Sequence, residues 1–231
     1  MKQIAATGIV LSRTNYGEAD RIITILTQDN GKIRLVAKGV RKIKSKLAGG
    51  IELFSVNDII YLPGKSGLGT LVSSRLRTNY VSIVGHIDRT MYTYEVLKIV
   101  HRITEDSPEP EYFLVLQHML NALNTILIPI DCIKVWFHMQ LLMLGGHSPN
   151  LFTDNEGVTL DPSQHYMFSF DDMSFMRHSA GPFTKHHITY LRLASSLESP
   201  KKLSQVKVPA DILTSLVQLS RTILDRYDHV N

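Results

Sequence analysis

Residues 21–38 read Arg21–Lys38, RIITILTQDNGKIRLVAK. Arg21–Thr27 is rich in β-branched residues, and Lys32–Lys38 alternates apolar with polar ones. Asp29-Asn30-Gly31 between them is a tight-turn signal, so the stretch predicts two antiparallel strands. Upstream, Ala6–Arg13 alternates in the same way. Downstream, Phe54–Leu62 predicts a fourth strand, Pro63-Gly64 opens a turn with Gly67 and Gly69, and Thr70–Arg77 predicts a fifth. Five short strands with a longer interruption after the third fit a small closed barrel of the OB type, which carries an extra element between its third and fourth strands. Here the interruption is Gly39–Glu52, with a short helical turn expected around Ser45–Ala48, ended by Gly49-Gly50.

From Val81 the periodicity becomes helical. Ile87–Ile103 has apolar residues at three and four spacing, and Ser107-Pro108-Glu109-Pro110 interrupts it. Glu111–Ile128 predicts a second helix ended by Pro129. A third follows, capped by Asp131 and stopped by Gly145-Gly146. Pro149–His178 predicts a loop or hairpin excursion, and Thr184–Leu197 and Ala210–Tyr227 two further helices. The expected fold is therefore α+β: a five-stranded OB-fold barrel over residues 1–80, then an all-α bundle over 81–231 with an irregular excursion at about 147–180.

The chain has 231 residues, is 44% apolar and carries a formal charge of +4. That composition excludes a disordered chain. The uncharged stretches Tyr112–Ile130 and Val135–Thr153 are interrupted by Gln, His, Asn and Gly, which favours core helices over membrane spans. The single cysteine, Cys132, permits no disulfide framework, so a cytoplasmic, nucleoid-associated protein is expected. The charge is uneven. Residues 1–80 hold 13 Lys+Arg against 5 Asp+Glu, a net of +8, and residues 81–231 hold 12 against 16, a net of −4. Asn30–Ile51 concentrates Lys32, Arg34, Lys38, Arg41, Lys42, Lys44 and Lys46 with no acid. Such a run is either a solvated loop or the contact surface for a polyanion.

No catalytic constellation is legible. Gly64-Lys65-Ser66 resembles the end of a phosphate-binding loop, but Ile59–Pro63 before it has no glycine and a strand follows it, so a hairpin turn is expected. His178, His186 and His187 lack carboxylate partners at metal-binding spacing and are expected on the surface at a helix start. Cys132 opens an apolar helix and reads as a buried structural thiol. The expectation is a non-enzymatic protein with no metal, cofactor or small-molecule substrate. A basic barrel can follow the phosphates of a single strand while aromatics stack on its bases. The aromatics are few (Tyr16, Phe54, Tyr61 and Tyr80), so binding dominated by the backbone and steeply salt-dependent is expected.

Several motifs in order resemble one family. Gly8-Ile9-Val10-Leu11 and Tyr16-Gly17-Glu18-Ala19-Asp20-Arg21-Ile22 resemble the first two strands of the bacterial recombination mediators of the RecO family. Gly31, Ala37-Lys38-Gly39-Val40-Arg41-Lys42, Ser45-Lys46-Leu47-Ala48-Gly49-Gly50, Phe54 and Leu68-Gly69-Thr70-Leu71 continue the order. Leu144-Gly145-Gly146-His147-Ser148-Pro149-Asn150-Leu151 is similar to the stretch that ends a central helix in that family. The resemblance implies binding to single- and double-stranded DNA, strand annealing, and loading of recombinase onto DNA coated by single-strand-binding protein, together with RecR. Lys38, Arg41, Lys42 and Lys46 match the family's basic positions. With the remaining cations of the barrel, the expected DNA-binding residues are Arg13, Arg21, Lys32, Arg34, Lys38, Arg41, Lys42, Lys44 and Lys46. Many members carry a four-cysteine zinc motif in the region corresponding to Phe152–His178; this stretch has no cysteine, and no zinc is expected. The acidic, apolar tail of a single-strand-binding protein would need an apolar groove rimmed by cations, for which Arg177, Lys185, Arg192, Lys201 and Lys202 are candidates. The alternative is an RNA-binding OB-fold protein acting in translation or RNA processing.

Overall fold

Alternating side chains put one face of each N-terminal strand inward, and the strands curl until that face closes on itself. The computed structural model of the chain describes residues 2–45, 47–104 and 110–228. Strands β1 (Ile4–Tyr16), β2 (Asp20–Thr27), β3 (Lys32–Ala37), β4 (Ser55–Leu62) and β5 (Leu68–Asn79) form a closed barrel in the order β1-β2-β3-β5-β4. β3 and β5 run parallel at the seam, with Arg34 opposite Leu68 and Val36 opposite Thr70, and the other pairings are antiparallel. This is the OB-fold expected from the alternation. Val10, Ile23, Ile25, Leu35, Ile59, Tyr61 and Leu71 fill the interior. A bulge between Val10 and Ser12 bends β1 so that it pairs with both β2 and β4.

The segment between β3 and β4 plugs one end of the barrel. Val40, Leu47, Ile51 and Leu53 join the core there. A single 3-10 turn, Ala48–Gly50, lies inside this plug. Gly49-Gly50 therefore belong to the turn rather than ending one at Ser45–Ala48, and Lys46, within the expected turn, lies outside the described residues. Phe54 leaves the plug with a φ of 61°, a left-handed backbone that is costly for an aromatic residue. Its ring packs edge-on against Tyr94 at 5.0 Å, and its carbonyl accepts the Tyr80 amide at 3.1 Å.

Short helix α1 (Val81–Val84), α2 (Ile87–Ile103) and α3 (Pro110–Leu123) follow. The expected break Ser107–Glu109 lies outside the described residues. Ile9 and Leu26, paired in register, are buried although they point away from the barrel interior, because α2 and α3 pack over β1 and β2. Contacts accordingly group Met1–Thr125 as one compact unit and Ile126–Asn231 as another. α3 ends at Leu123 and not at Ile128 as the periodicity predicts. The guanidinium of Arg89, buried on α2, donates to the carbonyls of Leu123 (2.7 Å), Thr125 (3.3 Å) and Ala122 (3.4 Å), which caps the helix early.

In the second unit α4 (Ile130–Leu144) is buried nearly all round and packs against α5 (Lys185–Ser196), α6 (Pro200–Leu203) and α7 (Ala210–Asp228). Its cap residue is Pro129; Asp131 sits one turn-position inside and accepts from Lys134 at 3.1 Å, a correction to its expected capping role. Trp136 donates to the Leu197 carbonyl at 2.8 Å and Gln140 to that of Ala194 at 2.8 Å, so these two polar side chains of α4 are satisfied by the end of α5. Cys132 is a buried free thiol. The excursion is ordered as a three-stranded sheet of β6 (Asn150–Asp154), β7 (Tyr166–Ser169) and β8 (Ser174–Arg177), in the order β6-β8-β7. Among the described residues no helix is long and apolar enough to cross a membrane.

Candidate nucleic-acid interface

The predicted cations do not form one surface. Strand direction sorts them to the two ends of the barrel. At the plugged end, the β1–β2 turn and the exit of β3 are tied together. Gly17 and Gly39 hold φ of 57° and 64°, which only glycine adopts without strain. The Gly39 amide donates to Asp20 Oδ1 at 2.7 Å, the Arg41 amide to the Ala19 carbonyl at 2.9 Å, and Arg41 Nη1 to the Gly17 carbonyl at 3.3 Å. Around this joint stand Arg21, Lys38, Arg41, Lys42 and Lys44, the last four exposed. Arg21 Nε donates to Asn15 Oδ1 at 3.2 Å. None of the five pairs with a carboxylate among the described residues. Asp20, the nearest acid by bonding, is occupied by the Gly39 amide, while Glu18 adds one exposed negative charge to the same turn.

The segment divides its work by residue type. Val40 and Leu47 turn inward and plug the core, and Lys38, Arg41, Lys42 and Lys44 stay in water. Burying the apolar positions therefore fixes where the cations stand, at about 1.5–3 kcal/mol per large side chain buried.

The other candidates are placed differently. Arg13 is engaged by Glu52 at 2.6 Å. Lys32 Nζ donates to the carbonyls of His101 (2.9 Å) and Thr104, where it caps the C-terminus of α2. Arg34 is exposed on β3 at the opposite end of the barrel. There it lines an open cleft of about 260 Å³ with Lys32, Leu35, Tyr61, Pro63, Gly64 and Gly69. Gly64-Lys65-Ser66 sits in the β4–β5 hairpin turn beside that cleft. Lys46 lies outside the described residues.

Lys2, Lys65, Arg75 and Arg77 lie outside the expected set and are exposed as well. Arg75 and Arg77 stand on β5, where their i, i+2 spacing puts them on one face of the strand. Arg77 reaches Asp58 at 3.7 Å and Thr7 Oγ1 at 3.3 Å. Of the four barrel aromatics only Tyr16, 54% exposed, is free to stack; Phe54, Tyr61 and Tyr80 are 5% exposed or less. Burial pushes the Tyr80 hydroxyl up to about 12 and raises that of Tyr61 as well.

In the second unit His187 departs from the expected surface position. It is buried, its Nδ1 accepts the Thr184 amide at 3.2 Å, and its Nε2 meets Ser215 Oγ at 3.1 Å. It completes a capping box at the start of α5. Burial holds its imidazole below the usual range, with Asp211 opposing and His186 adding to the shift. His178 and His186 are exposed. Among the described residues no group of three or more His, Cys, Asp or Glu is placed to hold a metal ion. Lys185 and Arg192 line a small cleft with Leu160, Pro162 and Ile188. Arg192 donates to the Leu151 carbonyl and lies over the Phe152 ring at 4.9 Å. Arg177 pairs with Asp154 at 3.4 Å and Lys202 with Glu198, so the five expected rim cations do not share one free edge.

Comparison with known proteins gives a consistent result. The family model described as "Recombination protein O N terminal" matches residues 1–80, and "Recombination protein O C terminal" matches residues 85–228. Curated relatives include "DNA repair protein RecO" of Exiguobacterium sp., 33% identical over 146 residues, which is 63% of this chain and 58% of that protein. The protein of the same name from Listeria monocytogenes serotype 4b is 31% identical over 172 residues, 74% of this chain and 66% of that protein. That of Dehalococcoides mccartyi is 33% identical over 144 residues, 62% and 56%. The matches therefore span less than two thirds of each relative's length.

Proposed function

Because the chain belongs to the RecO family, whose curated members are named for DNA repair, we propose that it is a non-enzymatic DNA-binding recombination mediator. It binds single- and double-stranded DNA, anneals complementary strands, and helps load recombinase onto DNA coated by single-strand-binding protein, in partnership with RecR. The observation that carries this reading is the joined pair of loops at the plugged end of the barrel, where Lys38, Arg41, Lys42 and Lys44 stand exposed without carboxylate partners among the described residues. Two polyanionic strands repel each other. Cations held on a rigid edge neutralise part of both, so complementary bases can meet. With Tyr16 the one exposed residue of the four barrel aromatics, the contact is dominated by phosphates, and it is indifferent to sequence.

The test is annealing of complementary strands coated with single-strand-binding protein, by the wild type and by a Lys38→Ala, Arg41→Ala, Lys42→Ala variant. The variant should anneal at least about tenfold more slowly, since each lost phosphate contact weakens binding. Equal rates would remove the assignment to this edge. Stronger action on RNA than on matched DNA would favour a role in RNA processing instead.

A further inference from the structure

The tip of the basic segment holds a residue that charge alone does not explain. Ile43 is fully exposed, between Lys42 and Lys44. The Ser45 amide donates to the Lys42 carbonyl at 3.0 Å, so Ile43 and Lys44 occupy the two central positions of a tight turn. Such positions favour Pro, Gly, Asn, Asp and Ser, and a β-branched aliphatic there gains nothing for the fold. The turn is also held firmly. The Lys42 amide donates to the Gly39 carbonyl at 3.1 Å, and Val40 and Leu47 on either side are packed into the barrel. Ile43 is thus presented outward by a braced support, and it takes no part in the core beneath it.

We propose that Ile43 is an apolar wedge that enters between adjacent bases of bound DNA while Lys42 and Lys44 hold the phosphates beside it. The inference rests on the DNA-binding reading and adds a residue with a distinct task. A nucleic acid presents an apolar stack of bases flanked by anionic backbone; the tip presents an aliphatic side chain flanked by cations. Aliphatic side chains inserted at a base step unstack it. At a duplex this opens a step, and on a single strand it keeps neighbouring bases apart and available for pairing. The flanking charge argues for a polyanionic occupant over an apolar pocket on a partner protein.

The experiment uses the full chain and a duplex carrying 2-aminopurine at a central step, whose emission rises when it is unstacked. Wild type should raise the emission on binding. Ile43→Ala should bind with an affinity within about threefold of wild type, because the phosphate contacts that dominate affinity remain, yet lose the rise. Ile43→Leu, which keeps the bulk, should retain it. Since Ile43 contributes nothing to the core, all three proteins should share one Tm. A full rise with Ile43→Ala, or tight wild-type binding with no rise, overturns the wedge while leaving the DNA-binding reading intact. Absence of wild-type binding at low salt overturns both.

Discussion

His138 lies at the centre of α4, wholly buried, with Nδ1 3.0 Å from Ser220 Oγ of α7. Burial drives its pKa from 6.5 to about 4; Asp225 opposes the shift and Lys134 adds to it. In the unfolded chain the imidazole protonates near 6.5, so between pH 6.5 and about 4 the unfolded state binds the extra proton. The stabilisation from a neutral His138 is therefore complete above pH 6.5 and is lost as the pH falls towards 4. Denaturant unfolding at pH 7 and pH 4.5 should show wild type losing about 2–3 kcal/mol more than His138→Gln, which cannot take up the proton. An equal loss in both would mean that His138 does not carry this dependence. None of this was legible from the sequence, in which His138 was merely a polar interruption of an apolar stretch. Lys32 shows the same limit. Its place in the basic run suggested a phosphate contact, but it reaches carbonyls at the end of α2, a contact set by the fold and not by neighbours in sequence.

Among elements, the strands were the most legible, because inward and outward residues alternate around the barrel and the turns carry their own chemistry. β1 and β5 are longer at both ends than the alternation predicts, since they extend past the barrel interior where no core face is needed, whereas β3 and β4 each fall one residue short of it. α3 ends before its periodicity does because Arg89, far away in sequence, caps it. The small sheet β6-β8-β7 shows in the sequence only as an excursion because its strands are four or five residues long, too short for a period. The plug between β3 and β4 offers a test of how the cationic edge is supported. A Cβ on Gly50 would lie 2.5 Å from Ser74 Oγ and 2.8 Å from the Ser74 backbone carbon. The side-chain oxygen of Ser74 also bonds the Gly50 carbonyl. Gly50→Ala should thus displace the plug, destabilise the chain by about 1–3 kcal/mol in denaturant unfolding, and weaken DNA binding with it. An unchanged midpoint would show that the plug does not bear on β5 as described.

For the whole molecule, the charge asymmetry of the sequence becomes a division between a loop joint whose cations pair with no carboxylate among the described residues and cations engaged elsewhere. The sequence run from Lys32 to Lys46 treated them as equal; strand direction separates them, since residues at the start and end of β3 stand at opposite ends of a barrel. Arg75 and Arg77 show the converse, cations distant from the run in sequence yet exposed on β5. The central proposal is that Lys38, Lys42 and Lys44 meet phosphates, while Lys32, held by the end of α2, does not. It is tested most directly by measuring single-strand DNA affinity against salt concentration for wild type, for Lys38→Ala, Lys42→Ala, Lys44→Ala combined, and for Lys32→Ala. Each phosphate contact to a single strand contributes a slope of about 0.7 in log affinity against log salt, so the triple variant should lose about 2 from the slope while Lys32→Ala keeps the wild-type value. A triple variant with the wild-type slope, or a Lys32→Ala slope lowered as much as that of the triple variant, would contradict the account.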